Sequence, residues 1–441
     1  MSPGIRFGKA ARQRGMIRGS LIGVAARFLD LPSRYGFHLL VAAALGVERA
    51  GQFYIVFSVM AALSGLGRLG VDRALTRHLA IVTAEGRPGL AVPAVRRALV
   101  LVFAASGLVS LLLFAAAQPF AELVLRKPAL AGPLALGALA IIPQNLGTVM
   151  AGGLAGLQRI GFSQMIYSWL WPALFCLVAL GTGINLEGAL LLIALSFAVT
   201  ALVGGGLLRE FLPKPAAAGT GGAPALLRQG LSLFSLELTQ LAISSAPVLI
   251  LGILASSREV GLFALAWRIA LLVNIVVGGV AAMASPRYAA LHAGGDLSAL
   301  DRAASQAIGL CLVLVVLPVA VMLVSPASLL GLFGPGYADG ASVLRVLALG
   351  QLAAAASAAM PELLGMTGHL ADLRRLNAMS LLVLLIGTLG LTPSFGAAGT
   401  AWAVSGSLAV NGFGAVTLAR RRLGLRPWTH LFGVFRGKGV K

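Results

Sequence analysis

The chain has 441 residues, of which 58% are hydrophobic and only 11% are charged. A soluble domain carries about 25% charged residues, so this composition excludes an ordinary soluble enzyme, and a mean hydropathy of +0.93 excludes a disordered chain. The formal net charge of +20 would indicate nucleic-acid binding in a soluble protein, but here it must first be compared with membrane topology.

Twelve apolar stretches follow one another along the chain, each near the roughly 20 residues that cross a bilayer. They cover approximately residues 21–46, 51–70, 98–118, 132–155, 161–181, 188–208, 229–254, 260–284, 304–325, 342–365, 376–392 and 397–419. The sequence therefore predicts an all-α polytopic membrane protein with about twelve transmembrane helices.

The basic residues are distributed unevenly about these spans. If the N-terminus is inside, 25 of the 34 basic residues fall in cytoplasmic tails and loops and only four in outside loops. This bias follows the positive-inside rule, so topology accounts for most of the surplus charge and nucleic-acid binding is not needed to explain it. We expect both termini in the cytoplasm. The basic segment from Arg6 to Arg18 is expected to be an uncleaved tail, because charges interrupt the apolar stretch that follows it.

The second half of the chain repeats features of the first. An offset of 210 residues aligns Ala50-Gly51-Gln52-Phe53 with Val260-Gly261-Leu262-Phe263, and a Pro/Gly/Ala-rich segment lies between the halves. Six spans per repeat give two lobes of the same orientation, related by a pseudo-two-fold axis, and transporters of this plan bind substrate between the lobes. The expected segments are a cytoplasmic tail (1–20), an N-lobe (21–211), a cytoplasmic linker (212–225), a C-lobe (226–419) and a second cytoplasmic tail (420–441).

Four polar residues of the first span share one helical face. Arg27, Asp30, Arg34 and His38 follow one another at spacings of three, four and four residues. Since a charge at the bilayer centre costs roughly 2.5 to 3.5 kcal/mol, this face is predicted to line a protein interior or an aqueous cavity. The structural alternative is an ion pair between Asp30 and Arg34, with Arg27 reaching the interface.

The corresponding helix of the second half carries Glu237, which the offset aligns with Arg27. Glu237 either pairs with an arginine or takes up a proton or cation. Arg268 is predicted near mid-membrane, with Asn274 six residues further on, and is a candidate for binding an anion. Its alternative role is to hold the carbonyls of a neighbouring helix or Glu237.

Two amides in the fourth span, Gln144 and Asn145, follow Pro143 and are candidates for lining the same cavity. Their alternative role is hydrogen bonding between helices. The two cysteines lie far apart in apolar segments, and neither a histidine metal spacing nor a GxxxxGK[ST] sequence occurs. We therefore expect neither an enzyme nor a bound metal or cofactor.

Glycine-spaced segments at corresponding places carry a family resemblance. They are Leu45-Gly46 followed by Ala50-Gly51-Gln52-Phe53-Tyr54, then Leu69-Gly70-Val71-Asp72-Arg73, Glu259-Val260-Gly261-Leu262-Phe263-Ala264-Leu265-Ala266-Trp267-Arg268, Phe333-Gly334-Pro335-Gly336-Tyr337 and Gly396-Ala397-Ala398-Gly399-Thr400-Ala401. Through these segments the chain resembles, over essentially its whole length, the polysaccharide-exporting (Wzx-like) flippases of the multidrug/oligosaccharidyl-lipid/polysaccharide exporter (MOP) superfamily.

The resemblance implies a two-lobe, alternating-access flippase that moves an undecaprenyl-diphosphate-linked oligosaccharide across the bacterial inner membrane for surface polysaccharide biosynthesis. Arg34 and Arg268 would neutralise the diphosphate, because guanidinium groups hold phosphate oxygens in a bidentate geometry. The coupling ion would be H⁺ or Na⁺, taken up at Asp30 or Glu237. The expected partners are the lipid-linked oligosaccharide, membrane lipids and polysaccharide polymerase or export proteins, without nucleic acid.

Three other functions remain open from the sequence. A cation-coupled drug or metabolite antiporter of the same fold would favour acids and aromatic rings in its cavity, which the basic stripe argues against. A peptidoglycan-precursor flippase typically has two additional C-terminal helices, whereas only residues 420–441 follow the twelfth span here. A membrane-embedded glycosyltransferase or polymerase would be expected to have a large outside loop or an acidic catalytic cluster.

Overall fold

The computed structural model describes residues 4–213 and 223–428, without the side chains of residues 4–28, 88, 223–225, 232, 233 and 235–240. Within these residues the chain is helical and has no β-strand, which confirms the predicted all-α fold. The helices are α1 (Gly4–Arg68), α2 (Val71–Ala84), α3 (Ala91–Pro119), α4 (Ala131–Gly156), α5 (Ile160–Gln164), α6 (Leu170–Ala179), α7 (Leu186–Phe211), α8 (Ala223–Leu254), α9 (Ser257–Ala270), α10 (Val273–Ala293), α11 (Leu297–Val324), α12 (Pro326–Gly331), α13 (Ala341–Ala355), α14 (Met360–Met366) and α15 (Leu370–Leu423).

Nine helical segments of the described residues are long and apolar enough to cross a membrane. Two of the nine each contain a break: Gly46 has φ +70° inside α1 and Gly396 has φ +55° inside α15, which is backbone that glycine adopts without strain. Each break divides one long helix into two predicted spans. The predicted seventh span adds the shorter apolar helix Leu241–Leu254. The described helices therefore accommodate the twelve spans, and the chain is a multi-pass membrane protein.

The first span contains a proline among its polar residues. A proline ring crowds the preceding turn of a helix, so Pro32 favours a kink there. In the structure Pro32 lies inside α1, and the residue that departs from helical φ and ψ within α1 is Gly46. The stripe of charged residues therefore lies on continuous helix.

The chain forms two compact units. Among the described residues, the first contains those up to Leu45 together with Val56–Leu241, and the second contains Gly46–Ile55 together with those from Ala242 onward. The short segment Gly46–Ile55, which follows the break in α1, therefore groups with the second unit. The lobe boundaries derived from the sequence stay a prediction.

In the first unit, α4 lies in the centre and packs against α2, α3 and α7. Small residues allow this close packing: a side chain on Gly156 would come within 2.7 Å of the Thr76 carbonyl oxygen. The Thr76 hydroxyl donates a hydrogen bond to the carbonyl of Gly152, one turn earlier on α4. Apolar helices in lipid gain little from burial against each other, so such close backbone contacts are what hold the bundle together.

In the second unit, the glycine-spaced segments of the sequence contact one another. A side chain on Gly51 would overlap the carbonyl oxygen of Ser257, and a side chain on Gly261 would overlap that of Val47. Each carbonyl belongs to the residue four positions before the other glycine. The two glycines that the 210-residue offset aligns therefore make a reciprocal contact.

Glu259, in the first turn of α9, connects α9 to α15 in this unit. Its carboxylate accepts a hydrogen bond of 2.6 Å from the backbone N–H of Ala397, next to the break at Gly396. Its neighbour Arg258 forms an ion pair with Asp339, beside the Phe333–Tyr337 segment. The segments of the family resemblance that belong to the second unit thus contact one another, whereas Leu69–Arg73 lies in the first unit.

Candidate functional site

A cavity in the first unit is shaped by an irregular helix. Between α5 and α6, residues Met165–Trp169 form a π-helical turn, in which an extra residue rotates the following side chains. Ile166 and Tyr167 of this turn, and Trp171 just after it, line the cavity. The π turn therefore determines which side chains of the fifth span reach the cavity.

The cavity has a volume of about 170 Å³ and lies among α1, α4, the π turn, α6 and α7. Its charged and polar lining consists of Arg34, Arg68, Gln144, Thr148 and Thr200. Among the described lining residues there is no aspartate or glutamate, so the two arginines give this wall a positive character. Such a cavity favours an anion over a cation.

Arg34 lies on the cavity wall and also makes the ion pair expected from its spacing. Its Nε atom is 2.8 Å from a carboxylate oxygen of Asp30, one turn earlier on α1. The Arg34 side chain is 45% exposed and that of Asp30 is 29% exposed, so solvent weakens the pair and a ligand can reach the guanidinium. Both sequence-based roles of Arg34, pairing and cavity lining, therefore occur together.

Gln144 is fixed on the cavity wall by its neighbours. Its side-chain oxygen accepts a hydrogen bond of 2.8 Å from the Ser64 hydroxyl, and its backbone carbonyl accepts one of 2.9 Å from Thr148. The hydroxyl of Thr200, which is buried, has no hydrogen-bond partner among the described residues. A polar ligand in the cavity would supply that partner.

Asn145 lies outside this lining, although it follows Gln144 directly. It is completely buried, and its side-chain nitrogen donates a hydrogen bond of 2.8 Å to Ser106 of α3. Gly67 packs against both residues. The structure thus gives Asn145 the alternative role, a hydrogen bond between helices.

Aromatic rings form the apolar part of the cavity wall. Trp171 lies 4.9 Å from Phe197 between ring centroids, and Phe57 and Tyr167 complete this wall. His38, on the predicted stripe, is not among the lining residues, and its ring lies 6.4 Å from that of Phe57. His38 therefore belongs to the aromatic packing beside the cavity.

The remaining predicted site residues lie elsewhere or outside the described side chains. In the second unit, Arg268 donates a hydrogen bond of 2.9 Å to the carbonyl of Ala264, and its guanidinium lies 4.1 Å from the ring centroid of Tyr54. Asn274 is exposed near the start of α10. The side chains of Arg27 and Glu237 lie outside the described residues.

No group of three or more His, Cys, Asp or Glu residues that could hold a metal ion occurs in the part of the chain that the structure describes.

Sequence reasoning missed several residues of the cavity. Neither Arg68 nor Trp171 belongs to a periodic polar pattern, because each stands alone in its apolar surroundings. Arg34 stands out because polar residues recur every three or four positions around it. The aromatic wall instead depends on a π turn that no sequence pattern indicates. The pairing of Ser64 with Gln144 across 80 residues was equally hidden.

Solved structures of transporters share this fold. An inward-facing multidrug resistance MATE family transporter of the MOP superfamily aligns with a TM-score of 0.73 at 16% identity, covering 95% of this chain and 100% of the other. An outward-facing MATE transporter aligns with a TM-score of 0.58 at 18% identity, covering 93% and 95%. A MOP superfamily transporter from Pyrococcus furiosus, described by a reversed polarity of its binding pocket, aligns with a TM-score of 0.62 at 18% identity, covering 95% and 96%.

Sequence comparison identifies the family. No curated protein matches the chain significantly. Residues 17–292, more than half of the chain, match the family described as polysaccharide biosynthesis protein. The resemblance inferred from the glycine-spaced segments is thereby confirmed, and the chain belongs to the polysaccharide biosynthesis protein family, with the fold of MOP-superfamily transporters.

Proposed function

We propose that this protein is a flippase that moves a polyprenyl-diphosphate-linked oligosaccharide across the bacterial inner membrane for surface polysaccharide biosynthesis. The observation that carries the proposal is the cavity of the first unit, whose lining includes Arg34 and Arg68 and no described acid. A diphosphate needs cationic partners that stay charged in a poorly solvated place, and guanidinium groups meet that need. The family membership supports a substrate of this kind.

The cavity suggests a division of roles within one substrate. Arg34 and Arg68 would bind the diphosphate, and Gln144, Thr148 and Thr200 offer hydrogen-bonding groups to it or to the first sugar. The rings of Trp171 and Tyr167 offer apolar faces on which a sugar ring can pack. The lipid tail would stay in the bilayer, where transfer to water costs about 0.8 kcal/mol per methylene group.

Asp30 connects this binding site to a driving ion in the same proposal. While its carboxylate pairs with Arg34, the arginine is partly neutralised. Protonation of Asp30 would remove the pair and leave the full charge of Arg34 for the diphosphate. A proton gradient could therefore act on the cavity through Asp30, while Glu237 and Na⁺ stay alternatives from the sequence.

The test is genetic complementation of a strain that lacks this protein. The wild-type chain is expected to clear lipid-linked oligosaccharide from the inner leaflet, whereas Arg34→Ala and Arg68→Ala are expected to slow this by about tenfold or more, the effect of losing one charge-assisted hydrogen bond. Arg374→Ala, at an exposed arginine of α15, is the matched control and should restore clearance. Asp30→Asn should transport without a dependence on the proton gradient if Asp30 is the coupling group.

Two outcomes would contradict the proposal. Normal clearance by both cavity variants, at wild-type protein levels, would remove the arginines from the binding site. An unchanged lipid-linked pool in the deletion strain, with normal surface polysaccharide and increased sensitivity to cationic drugs, would instead indicate the antiporter. The aromatic lining of the cavity is compatible with such a cargo, but two arginines would repel an organic cation.

A further inference from the structure

A second, larger cavity in the first unit has no role in the proposed substrate path. It has a volume of about 400 Å³ and lies where the first turns of α3 meet the last turns of α7. Val92, Val95 and Leu99 of α3 face Leu208 of α7 and Leu212 just after it, and the lining shares no residue with the cavity of Arg34. A volume of this size suits a ligand, because ligand pockets span about 300 to 1,000 Å³.

Positive charge borders this apolar cavity. Arg209, in the last turn of α7, is the charged residue of its lining. Arg96 follows Val92 by four residues and precedes Leu99 by three, so it lies on the same face of α3. Both arginines are exposed, and neither has a hydrogen bond or ion pair with another described residue. Glu210, next to Arg209, does not belong to the lining.

The combination of an apolar cavity and two unpaired arginines matches one kind of molecule. A phospholipid with an anionic headgroup has an acyl chain for the cavity and a phosphate for the arginines. The cavity lies at the ends of two membrane spans, where headgroups occur, and the distribution of basic residues predicts that these ends face the cytoplasmic leaflet. That leaflet carries anionic lipids, which attract basic residues near its surface.

We propose that this cavity is a binding site for an anionic phospholipid, with an acyl chain between α3 and α7 and the phosphate at Arg96 and Arg209. The proposal does not depend on the transported substrate. The lipid would fill space between two spans of the first unit and stabilise their packing, as any ligand does that binds only the folded state.

Two pairs of variants separate this site from general attraction to the membrane. Arg96→Ala with Arg209→Ala removes the proposed phosphate contacts, and Arg97→Ala is its control, because Arg97 points about 100° away from Arg96 around α3. Gly205→Leu adds volume at the cavity wall, since Gly205 belongs to its lining and an added Cβ there would be in ordinary contact with Met150, at 3.5 Å. Gly206→Leu is its control, because a side chain on the exposed Gly206 would meet nothing within 4 Å.

The experiment uses the purified full-length chain in detergent, with native mass spectrometry and thermal unfolding at rising phosphatidylglycerol or phosphatidylcholine. Phosphatidylglycerol is expected to bind the wild type and to raise its Tm more than phosphatidylcholine does. The double arginine variant is expected to bind it roughly tenfold more weakly or worse. Gly205→Leu should lose the Tm increase, while Arg97→Ala and Gly206→Leu should keep it.

Three results would overturn the proposal. Equal binding of both phospholipids would remove the role of the arginines, and equal phosphatidylglycerol binding by all variants would place the lipid elsewhere. Binding of polyprenyl phosphate without binding of phosphatidylglycerol would identify a substrate-type lipid as the occupant. If phosphatidylglycerol bound only after residues 214–222 were exchanged for a Gly/Ser linker, the occupant would be the chain that follows Pro213.

Discussion

Gln351 is a buried amide without an evident role. It is completely buried in α13, and neither its side-chain nitrogen nor its side-chain oxygen has a hydrogen-bond partner among the described residues. A buried polar group without a partner costs about 1 to 3 kcal/mol in folding free energy. The unpaired amide of Gln351 therefore opposes folding, and a substitution can measure by how much.

Gln351→Met should therefore raise the Tm of the purified protein, because methionine has a similar volume and leaves no polar group unpaired. Asn145→Leu is the opposite case: it removes the hydrogen bond to Ser106 and should lower the Tm. Thermal unfolding in detergent, followed by tryptophan fluorescence, measures both. A lower Tm for Gln351→Met would mean that its amide is paired in solution, for example by water.

At the scale of single residues, polar groups inside an apolar span are the signal that the sequence offers. Arg34 stands in a periodic polar stripe and Gln144 is an amide after a proline, and both line the cavity. Arg268 stands out by its predicted depth in the membrane, and in the structure it contacts Tyr54 and the carbonyl of Ala264. Charge within a span thus indicates that a residue avoids lipid, but it does not tell a cavity from packing.

At the scale of helices, Gly51 and Gly261, which the sequence repeat aligns, make a reciprocal close contact in the structure. Gly51→Val and Gly261→Val should each reduce the folded fraction, because a Cβ would overlap the backbone carbonyl of Ser257 or Val47 and backbone cannot move aside cheaply. Size-exclusion chromatography of a fluorescent fusion measures the folded fraction. Each single variant tests one half of the same contact.

The matched control is Gly278→Val on α10, where an added side chain would meet nothing within 4 Å. It carries the same loss of glycine and the same β-branched side chain, so it removes the effect of helix propensity from the comparison. Equal folding of all three variants would show that the helices separate enough to accept a side chain, and the contact would then contribute little to stability.

Helix irregularities divide into those that the sequence reveals and those that it hides. The breaks at Gly46 and Gly396 coincide with glycines between two predicted spans, as expected for backbone with positive φ. The π turn Met165–Trp169 has no such marker, since ordinary apolar residues form it. A helix cap is a further local feature, at the start of α11. Asp296 accepts hydrogen bonds from the Ala299 N–H and the Ser298 hydroxyl, and these bonds lower the pKa of its carboxyl.

For the whole molecule, the number of spans follows from hydropathy and length because lipid requires every backbone group to be bonded within a helix. Their pairing does not follow from it. The segment Gly46–Ile55 belongs to the predicted N-lobe, yet it packs in the second unit, through contacts of Gly51 with Ser257 and Gly261. Composition determines which segments cross the membrane, whereas close backbone contacts between glycines determine which crossings associate.

The distribution of basic residues predicts that both termini face the cytoplasm and that the two halves have the same orientation. Single cysteines in a Cys176→Ala, Cys311→Ala background test this with a maleimide that does not cross membranes. Ala129→Cys and Ala338→Cys, at exposed positions of predicted outside loops, should react in intact cells. Ala84→Cys and Ala293→Cys, at exposed ends of α2 and α10, should react only after permeabilisation.

All four exchange alanine for cysteine, so differences in reactivity report the side of the membrane. The reverse pattern throughout would place both termini outside, and a reversal in the second half alone would mean that the two repeats are inverted.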